Sequence, residues 1–464
     1  MTRLVKGKRR RAPRPRHSVN ETIVAVATPF GQGAIALLRM SGSGALKVAG
    51  QALGCDPEDL EERHAHRAKV RSEENAVLDE VLVTSFRGPR SYTGEDVVEI
   101  SCHGGVLVTQ RLLERMLECG ARSAEAGEFT QRAFLNGKMD LTQAEAVMDI
   151  ISAQTELSLR AAQHQLGGRI GAQTESLRAN LLQVVAEVEA YIDFPEEDID
   201  AGSGKGFRAR VEEARAIIND LLATAEHGRI LREGARTVIY GEPNVGKSSL
   251  LNVLLGYERA IVSDLAGTTR DTVEEVVNLG GIPVRLIDTA GMRESVDEIE
   301  EFGLERTRRN LAEADLILEV VDGSQGKGTT LSLETRENTH HLLVLNKTDL
   351  GKHADWERES GGVAISCREG TGMKALTEAI GEELAFGVSG WGQEAVAVNA
   401  RHQDCLRRAE KALSEALGQL SRREGPEFAA VDLRIALDAI GEVAGKVETE
   451  ELLGEIFGRF CIGK

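Results

Sequence analysis

The chain has 464 residues with 41% hydrophobic and 28% charged side chains, which fits about three soluble globular domains. Its formal net charge of −18 and its aromatic content of only 4% exclude a broad stacking surface for single-stranded nucleic acid, so an RNA partner must meet a local basic patch. The six cysteines show no paired metal-binding spacing and no apolar stretch is long enough to span a membrane; a reducing, cytoplasmic setting is expected.

Arg3, Lys6, Lys8, Arg9, Arg10, Arg11, Arg14 and Arg16 crowd the first segment, which has two prolines and no acid. An RNA-binding arm and an organellar presequence are the functional readings. A disordered extension or a misassigned start fits better, because the segment is too short and too broken by proline for an amphipathic helix. Thr22–Ala27 then reads as a strand, Thr28–Gly33 as a turn and Ala34–Arg39 as the returning strand. Val81–Phe86 and Val97–Ser101 form a second strand pair, followed by a helix over Val106–Cys119. This is an α+β domain. Cys102 and His103 are adjacent on a strand and point to opposite faces, so they are no catalytic dyad.

Beyond Lys138 the pattern turns helical. Thr142-Gln143-Ala144-Glu145 fits a capping box opening a helix that Gly167-Gly168 ends. Ile170, Leu177, Leu181, Val184, Val188 and Ile192 mark the next helix, and Val211, Ile217, Ile218, Leu221 and Leu222 a third. An acidic run, 193–200, separates those two. Helical periodicity resumes near Arg401 with Leu406, Leu413, Leu417 and Leu420, then Val431, Leu433, Ile435, Leu437 and Ile440. These stripes are expected in a core.

Between the helical stretches lies Gly241-Glu242-Pro243-Asn244-Val245-Gly246-Lys247-Ser248, after the apolar run Thr237–Tyr240 and before the helix-like 249–255. Strand, glycine-rich loop and helix in that order make an anion cradle of backbone N–H groups. Lys247 would reach the β and γ phosphates and the Ser248 hydroxyl would ligate Mg²⁺. Gly267-Thr268-Thr269-Arg270-Asp271 stands where a switch segment belongs, with Thr269 as its Mg²⁺-linked threonine. Asp288-Thr289-Ala290-Gly291 ends the strand Val284–Ile287 near the γ-phosphate. Asn346-Lys347-Thr348-Asp349 follows Leu342–Leu345, so its carboxylate can accept two hydrogen bonds from guanine that adenine cannot offer. Ser366-Cys367-Arg368 resembles the last guanine-contacting loop. Together these motifs predict a GTP-binding domain. Met292 stands where Ras-like proteins carry a water-orienting Gln, so another group must orient the water. Glu294, Asp297, Glu298, Glu300 and Glu301 are the nearby carboxylates, and spacing does not choose among them.

From Thr22 onward the chain resembles the MnmE (TrmE) family of tRNA-modification GTPases. Ala27-Thr28-Pro29 with Gly31 and Gly33, Tyr92–Asp96, Gly127–Phe134, Ile192–Pro195 and the terminal Phe460-Cys461-Ile462-Gly463-Lys464 carry the resemblance. It implies a multidomain α/β and α+β fold: a basic leader (1–19), a folate-binding and dimerisation domain (20–137), and a helical bundle (138–232 and 387–464) with a Ras-like P-loop GTPase domain (233–386) inserted in it. It also implies a homodimer that binds 5-formyl- or 5,10-methylene-tetrahydrofolate through Arg39, Glu99, Lys138 and Lys464, with Cys461 needed for modification. Around the nucleotide it implies Asn244 to Ser249, Ser263-Asp264-Leu265-Ala266 and Gly267 to Thr269. Asn244, Ser263, Leu265 and Thr268 would bind K⁺, which would act where other GTPases use an arginine finger, and Glu300 would position the catalytic water. The family works with the flavoprotein MnmG (GidA), which brings FAD and NADH, in a heterotetrameric or larger complex. It modifies C5 of the wobble uridine of certain tRNAs. A regulatory RNA-binding GTPase of the ribosome-assembly type shares every GTP motif; Arg39, Glu99, Lys138 and the 461–464 tail separate the two.

Overall fold

The structure, a computed structural model, describes residues 21–193, 204–257, 275–287, 309–327, 338–357, 362–384, 398–422, 426–446 and 450–464. They form two compact units, one of residues up to 140 together with 450–464, the other within Leu141–Val447.

Alternating apolar residues in the first unit build a six-stranded sheet. Its strands are β1 (Ile23–Val26), β2 (Ile35–Ser41), β3 (Ala65–Arg71), β4 (Val77–Phe86), β5 (Val97–His103) and β6 (Arg122–Ser123), in the spatial order β3-β4-β5-β2-β1-β6. All neighbours are antiparallel except β1 and β6. Helices Ala45–Leu53 and Val106–Glu118 cover one face, burying Leu38, Met40, Ile100, Leu112 and Met116. Each such side chain contributes about 1.5–3 kcal/mol. Both expected strand pairs are present. Strand β3 was not foreseen, because Arg67, Lys69 and Arg71 give it the charged edge that blocks strand addition.

The C-terminal helix Glu450–Phe457 packs on helix Glu128–Leu135 of the same unit, with Phe134 and Phe457 rings 6.5 Å apart. The tail that follows bridges Ala126 through Ile462. Gly463 has φ +97, and a Cβ there would lie 2.6 Å from the Val26 carbonyl oxygen. Only glycine lets the tail lie against the end of β1.

The second unit has a second six-stranded sheet of β7 (Ala235–Tyr240), β8 (Glu275–Leu279), β9 (Ile282–Leu286), β10 (Leu316–Asp322), β11 (His340–Asn346) and β12 (Val363–Ala364). The order is β12-β11-β10-β7-β9-β8, parallel throughout except for β8 against β9. Its central strands are rich in buried aliphatic residues, as in Leu342–Leu345 of β11 and Leu316–Leu318 of β10. Helices Arg169–Asp193, Gly204–Ala223, Ala400–Arg422 and Pro426–Ala444 pack together around Leu181, Val184, Val211, Ile218, Leu406, Leu413 and Leu433. This core therefore draws on sequence from both sides of the sheet.

Three expectations are corrected here. Val431 and Ile435 are 57% and 50% exposed, not core. The helix through Pro426–Ala444 turns Leu433, Ala436, Leu437 and Ile440 inward, and the other two fall on its outer face beside Phe428. The stretch from Thr142 to Gly167 is two helices, Leu141–Ser152 and Glu156–Leu166, and Thr155 caps the second by accepting from the Ser158 N–H. Thr142 lies inside the first helix, and Glu145 is not a capping partner: its carboxylate takes Arg401 Nε at 2.8 Å and Nη2 at 3.1 Å. The acidic run beyond Asp193, the leader and the switch residues 267–271 and 288–291 fall outside the described residues.

Candidate functional site

Strand β7 buries Val238 and Ile239 and ends at Gly241, where the chain turns into the loop before helix Lys247–Tyr257. Asn244 has φ +65 and Gly246 φ +102, the left-handed turns with which such a loop can form an anion-binding concavity of N–H groups. A Cβ on Gly246 would stand 2.1 Å from Asn346 Nδ2. That close approach lets Asn346 Nδ2 donate to the Val245 carbonyl at 2.9 Å, while its Oδ1 accepts from the Cys367 N–H at 3.1 Å. One buried amide thus joins the phosphate-type loop to both base-type loops. Lys247 Nζ lies on the loop itself, donating to the Gly241 and Glu242 carbonyls at 2.9 and 2.8 Å, and burial pushes its pKa down. Ser248 and Ser249 occupy the first turn of the helix.

At the end of β11, Asn346 is buried and Lys347 takes φ +63. Asp349 Oδ1 accepts from Ser366 Oγ at 2.7 Å, and Thr348 Oγ1 donates to the Ile365 carbonyl at 2.8 Å. Burial, with Asp349 nearby, pushes the Cys367 thiol up to about 11, which disfavours the thiolate. Arg368 follows in the turn beyond. A cavity of about 560 Å³ opens beside the loop, lined among the described residues by Asn244, Val245, Asp322, Gln325, Lys347 and Trp356. Its place, at the carboxyl ends of parallel strands, is where doubly wound sheets bind ligands.

The structure thus brings Asn244, Val245, Gly246, Lys247, Asn346, Lys347 and Asp349 to one end of the sheet, with Ser366 and Cys367 beside them. Ser263, Asp264, Leu265, Ala266, Gly267, Thr268, Thr269, Asp288, Thr289, Ala290, Gly291, Met292, Glu294, Asp297, Glu298, Glu300 and Glu301 lie outside the described residues. Sequence reasoning missed Asp322, Gln325 and Trp356. The one available signal was an acid at the end of the stretch Leu316–Val321, apolar but for Glu319.

In the first unit Arg39 and Glu99 face each other across β2 and β5 and pair at 2.7 Å. The guanidinium also lies 5.4 Å from the Tyr92 ring centroid and 6.0 Å from that of Phe129. Lys138 Nζ donates to the Pro89 carbonyl at 2.9 Å, and its stem packs near Gly94. The segment Tyr92–Gly94 therefore runs between Arg39 and Lys138. Cys461 and Lys464 sit on the docked tail, where the Lys464 N–H donates to the Cys461 carbonyl at 3.3 Å. Cys102 is buried with its thiol on the Ala36 carbonyl, while His103 points the other way onto Asp79 at 2.7 Å. Their separation onto opposite faces is as expected.

Two family models match the chain, the "GTP-binding protein TrmE N-terminus" over residues 22–138 and the "MnmE helical domain" over residues 141–461. The tRNA modification GTPase MnmE of Akkermansia muciniphila is 53% identical over 96% of this chain and 99% of its own. Those of Aquifex aeolicus and Clostridioides difficile are 44% and 42% identical, each over 96% of this chain and 100% of their own. No helix among the described residues is long and apolar enough to cross a membrane. With a family model on each unit and relatives matched over nearly their whole length, the chain belongs to the MnmE family of tRNA modification GTPases.

Proposed function

We propose that the chain is a potassium-stimulated, homodimeric GTPase that works in the cytoplasm with the flavoprotein MnmG. Together they install a (carboxymethyl)aminomethyl group on C5 of the wobble uridine of certain tRNAs. The observation that carries the nucleotide part is the Asn346 amide, bonded to Val245 on one side and Cys367 on the other. It presents an anion-binding loop and a carboxylate at Asp349 to one ligand, as a guanine nucleotide needs.

In this reading the GTPase domain spans 233–386, inserted between helical segments 138–232 and 387–464, after a folate-binding domain over 20–137. Lys247 neutralises the β and γ phosphates, and Ser248 with Thr269 holds Mg²⁺. Asn244, left-handed in backbone and lining the loop cavity, would offer its amide oxygen to K⁺; Ser263, Leu265 and Thr268 complete that set. Potassium supplies positive charge at the developing phosphoryl transition state, and Glu300 orients the water that Met292 cannot. Ser263, Asp264, Leu265, Ala266 and Gly267 are assigned to nucleotide binding, as are Asp288, Thr289, Ala290 and Gly291. Arg39, Glu99, Lys138 and Lys464 hold a 5-formyl- or 5,10-methylene-tetrahydrofolate. The Arg39–Glu99 pair beside the Tyr92 and Phe129 rings suits a flat ring with amide donors. FAD and NADH belong to the partner, and Cys461 serves the modification step.

GTP turnover in matched potassium and sodium buffers, on wild type and Asn244→Ala, tests this reading. Stimulation by potassium that the variant loses is the expected result. Equal rates in both salts would remove the potassium mechanism and favour a regulatory GTPase.

A further inference from the structure

Asp322, which lies outside every sequence motif, accepts four hydrogen bonds. It ends β10, and the parallel register sets it beside Asn346 at the end of β11. Oδ1 accepts from the Ser324 N–H at 3.0 Å and from Ser324 Oγ at 2.6 Å. Oδ2 accepts from Gln325 Nε2 at 3.0 Å and from Lys347 Nζ at 2.8 Å. The carboxylate is 9% exposed, and Lys347 32%. Gln325 in turn holds Trp356, whose Nε1 donates to the Gln325 carbonyl at 2.8 Å. Asp322, Gln325, Lys347 and Trp356 all line the cavity beside the phosphate-type loop.

Lys347 occupies a left-handed backbone conformation and carries a long side chain with much rotamer freedom to lose. A fixed partner for its ammonium removes that freedom before a ligand arrives, which is preorganisation. We propose that Asp322 is a positioning residue for the nucleotide site: it holds the stem of Lys347 against the cavity wall, and so sets how long a bound guanine nucleotide stays. This rests on the nucleotide reading above. Asp322 touches no nucleotide atom in this account; it acts through Lys347.

Dissociation of mant-GDP from the full-length chain, followed by stopped flow, tests it in wild type, Asp322→Asn, Lys347→Met and the double variant. A charge-assisted hydrogen bond lost at a preorganised group predicts about tenfold faster release from Asp322→Asn. KM for GTP rises by about the same factor while kcat at saturation stays within about twofold, since the contact is made equally in ground and transition states. In the Lys347→Met background the Asp322→Asn effect shrinks to about twofold or less, as for two residues that act as one pair. Release unchanged in Asp322→Asn overturns the proposal. So does a full Asp322→Asn effect in the Lys347→Met background, which would make the carboxylate a support for the Ser324–Gln325 turn alone. Should Asp322→Asn fail to fold, Lys347→Met addresses the same tie from its other end, and unaltered release there overturns the proposal equally. A wild-type chain that binds no mant-GDP would overturn the nucleotide reading and this proposal with it.

Discussion

Replacing Glu145 tests whether a buried ionic cluster holds the second unit together. Glu145 is buried in helix Leu141–Ser152, with its carboxylate 2.8 Å from Arg401 Nε and 2.7 Å from His402 Nε2. Arg401 also donates to the Glu442 and Val443 carbonyls at 2.7 and 2.9 Å, capping the end of helix Pro426–Ala444. Burial alone would raise the Glu145 pKa; His402 and Arg401 outweigh it and hold the carboxyl well below the usual range. Glu145→Ala takes the carboxylate from a largely buried Arg401 guanidinium, a loss of about 3–5 kcal/mol. Glu145→Gln keeps the shape but sets an amide donor against donors, a loss of about 1–3 kcal/mol. Glu156→Gln removes an exposed partner of Arg160, and such an i,i+4 pair is worth only about 0.3–0.5 kcal/mol. Urea denaturation followed by circular dichroism, with midpoints compared at constant slope, ranks the three. A Glu145→Gln midpoint equal to that of Glu156→Gln would show that the cluster contributes no more than a surface pair.

Gly246→Ala forces a Cβ onto Asn346 Nδ2 and a left-handed alanine; strain and the lost bond to Val245 together predict roughly 2–3 kcal/mol, or about 30- to 150-fold weaker nucleotide binding, by mant-GDP titration. Affinity within threefold of wild type would refute the coupling of the two loops. Leu433→Ala removes a fully buried side chain and is expected to cost about 2–5 kcal/mol in chemical denaturation. Val431→Ala, two positions away on the exposed face, stays within about 0.5 kcal/mol; equal losses would place both in the core. Burial pushes the His402 imidazole down despite the pull of Glu145, so below about pH 6.5 the unfolded chain binds more protons and stability falls. Glu145, also lowered, adds its own loss only below about pH 4.5 by the same sign. Melting temperature should therefore drop less between about pH 7.5 and 5.5 in His402→Gln than in wild type; parallel curves would show that His402 does not titrate differently on folding.

The nucleotide-type loop was legible because its backbone demands are local: glycine at the crowded turn, lysine and serine at the helix start. Four strands of the second sheet were legible beside the motifs they carry, at 237–240, 284–287, 342–345 and 362–365; β8 and β10 were not foreseen, because Glu275, Asn278 and Glu319 break their apolar patterns. What escaped was whatever depends on partners distant in sequence. Glu145 looked like a helix cap in a four-residue window, yet its partner Arg401 is 256 positions away. Asp322 gains its meaning only from the β10–β11 register that sets it beside Asn346. Periodicity found the apolar positions of helix Pro426–Ala444 but could not say which face was inward, and Val431 and Ile435 fell on the other one. The charged residues of β3 hid a strand that a charged edge explains.

One short element, helix Glu156–Leu166, links the sheet of the second unit to the helices around it. In helix Glu156–Leu166, Leu157 packs on Gly281 in the turn between β8 and β9, and Ala161 enters the core beneath the sheet. Ser158 Oγ donates to the Leu231 carbonyl at 2.6 Å. Leu231 belongs to helix Ala225–Glu233, which leads directly into β7 and is fixed to the sheet by Arg229 on Asp315 at 2.7 Å. The next residue along, Arg232, pairs with Asp149 on helix Leu141–Ser152, one turn from Glu145 and its contacts to Arg401 and His402. A close-packed interior does not deform continuously. A shift of the β8–β9 turn must therefore carry helix Glu156–Leu166 with it or open a void under Leu157. Moving helix Glu156–Leu166 alone would break the hydrogen bond from Ser158 to Leu231. The turn that follows the 258–274 stretch is thus joined by consecutive contacts to the cluster that fixes helix Ala400–Arg422, which is the physical continuity a nucleotide-dependent movement would need.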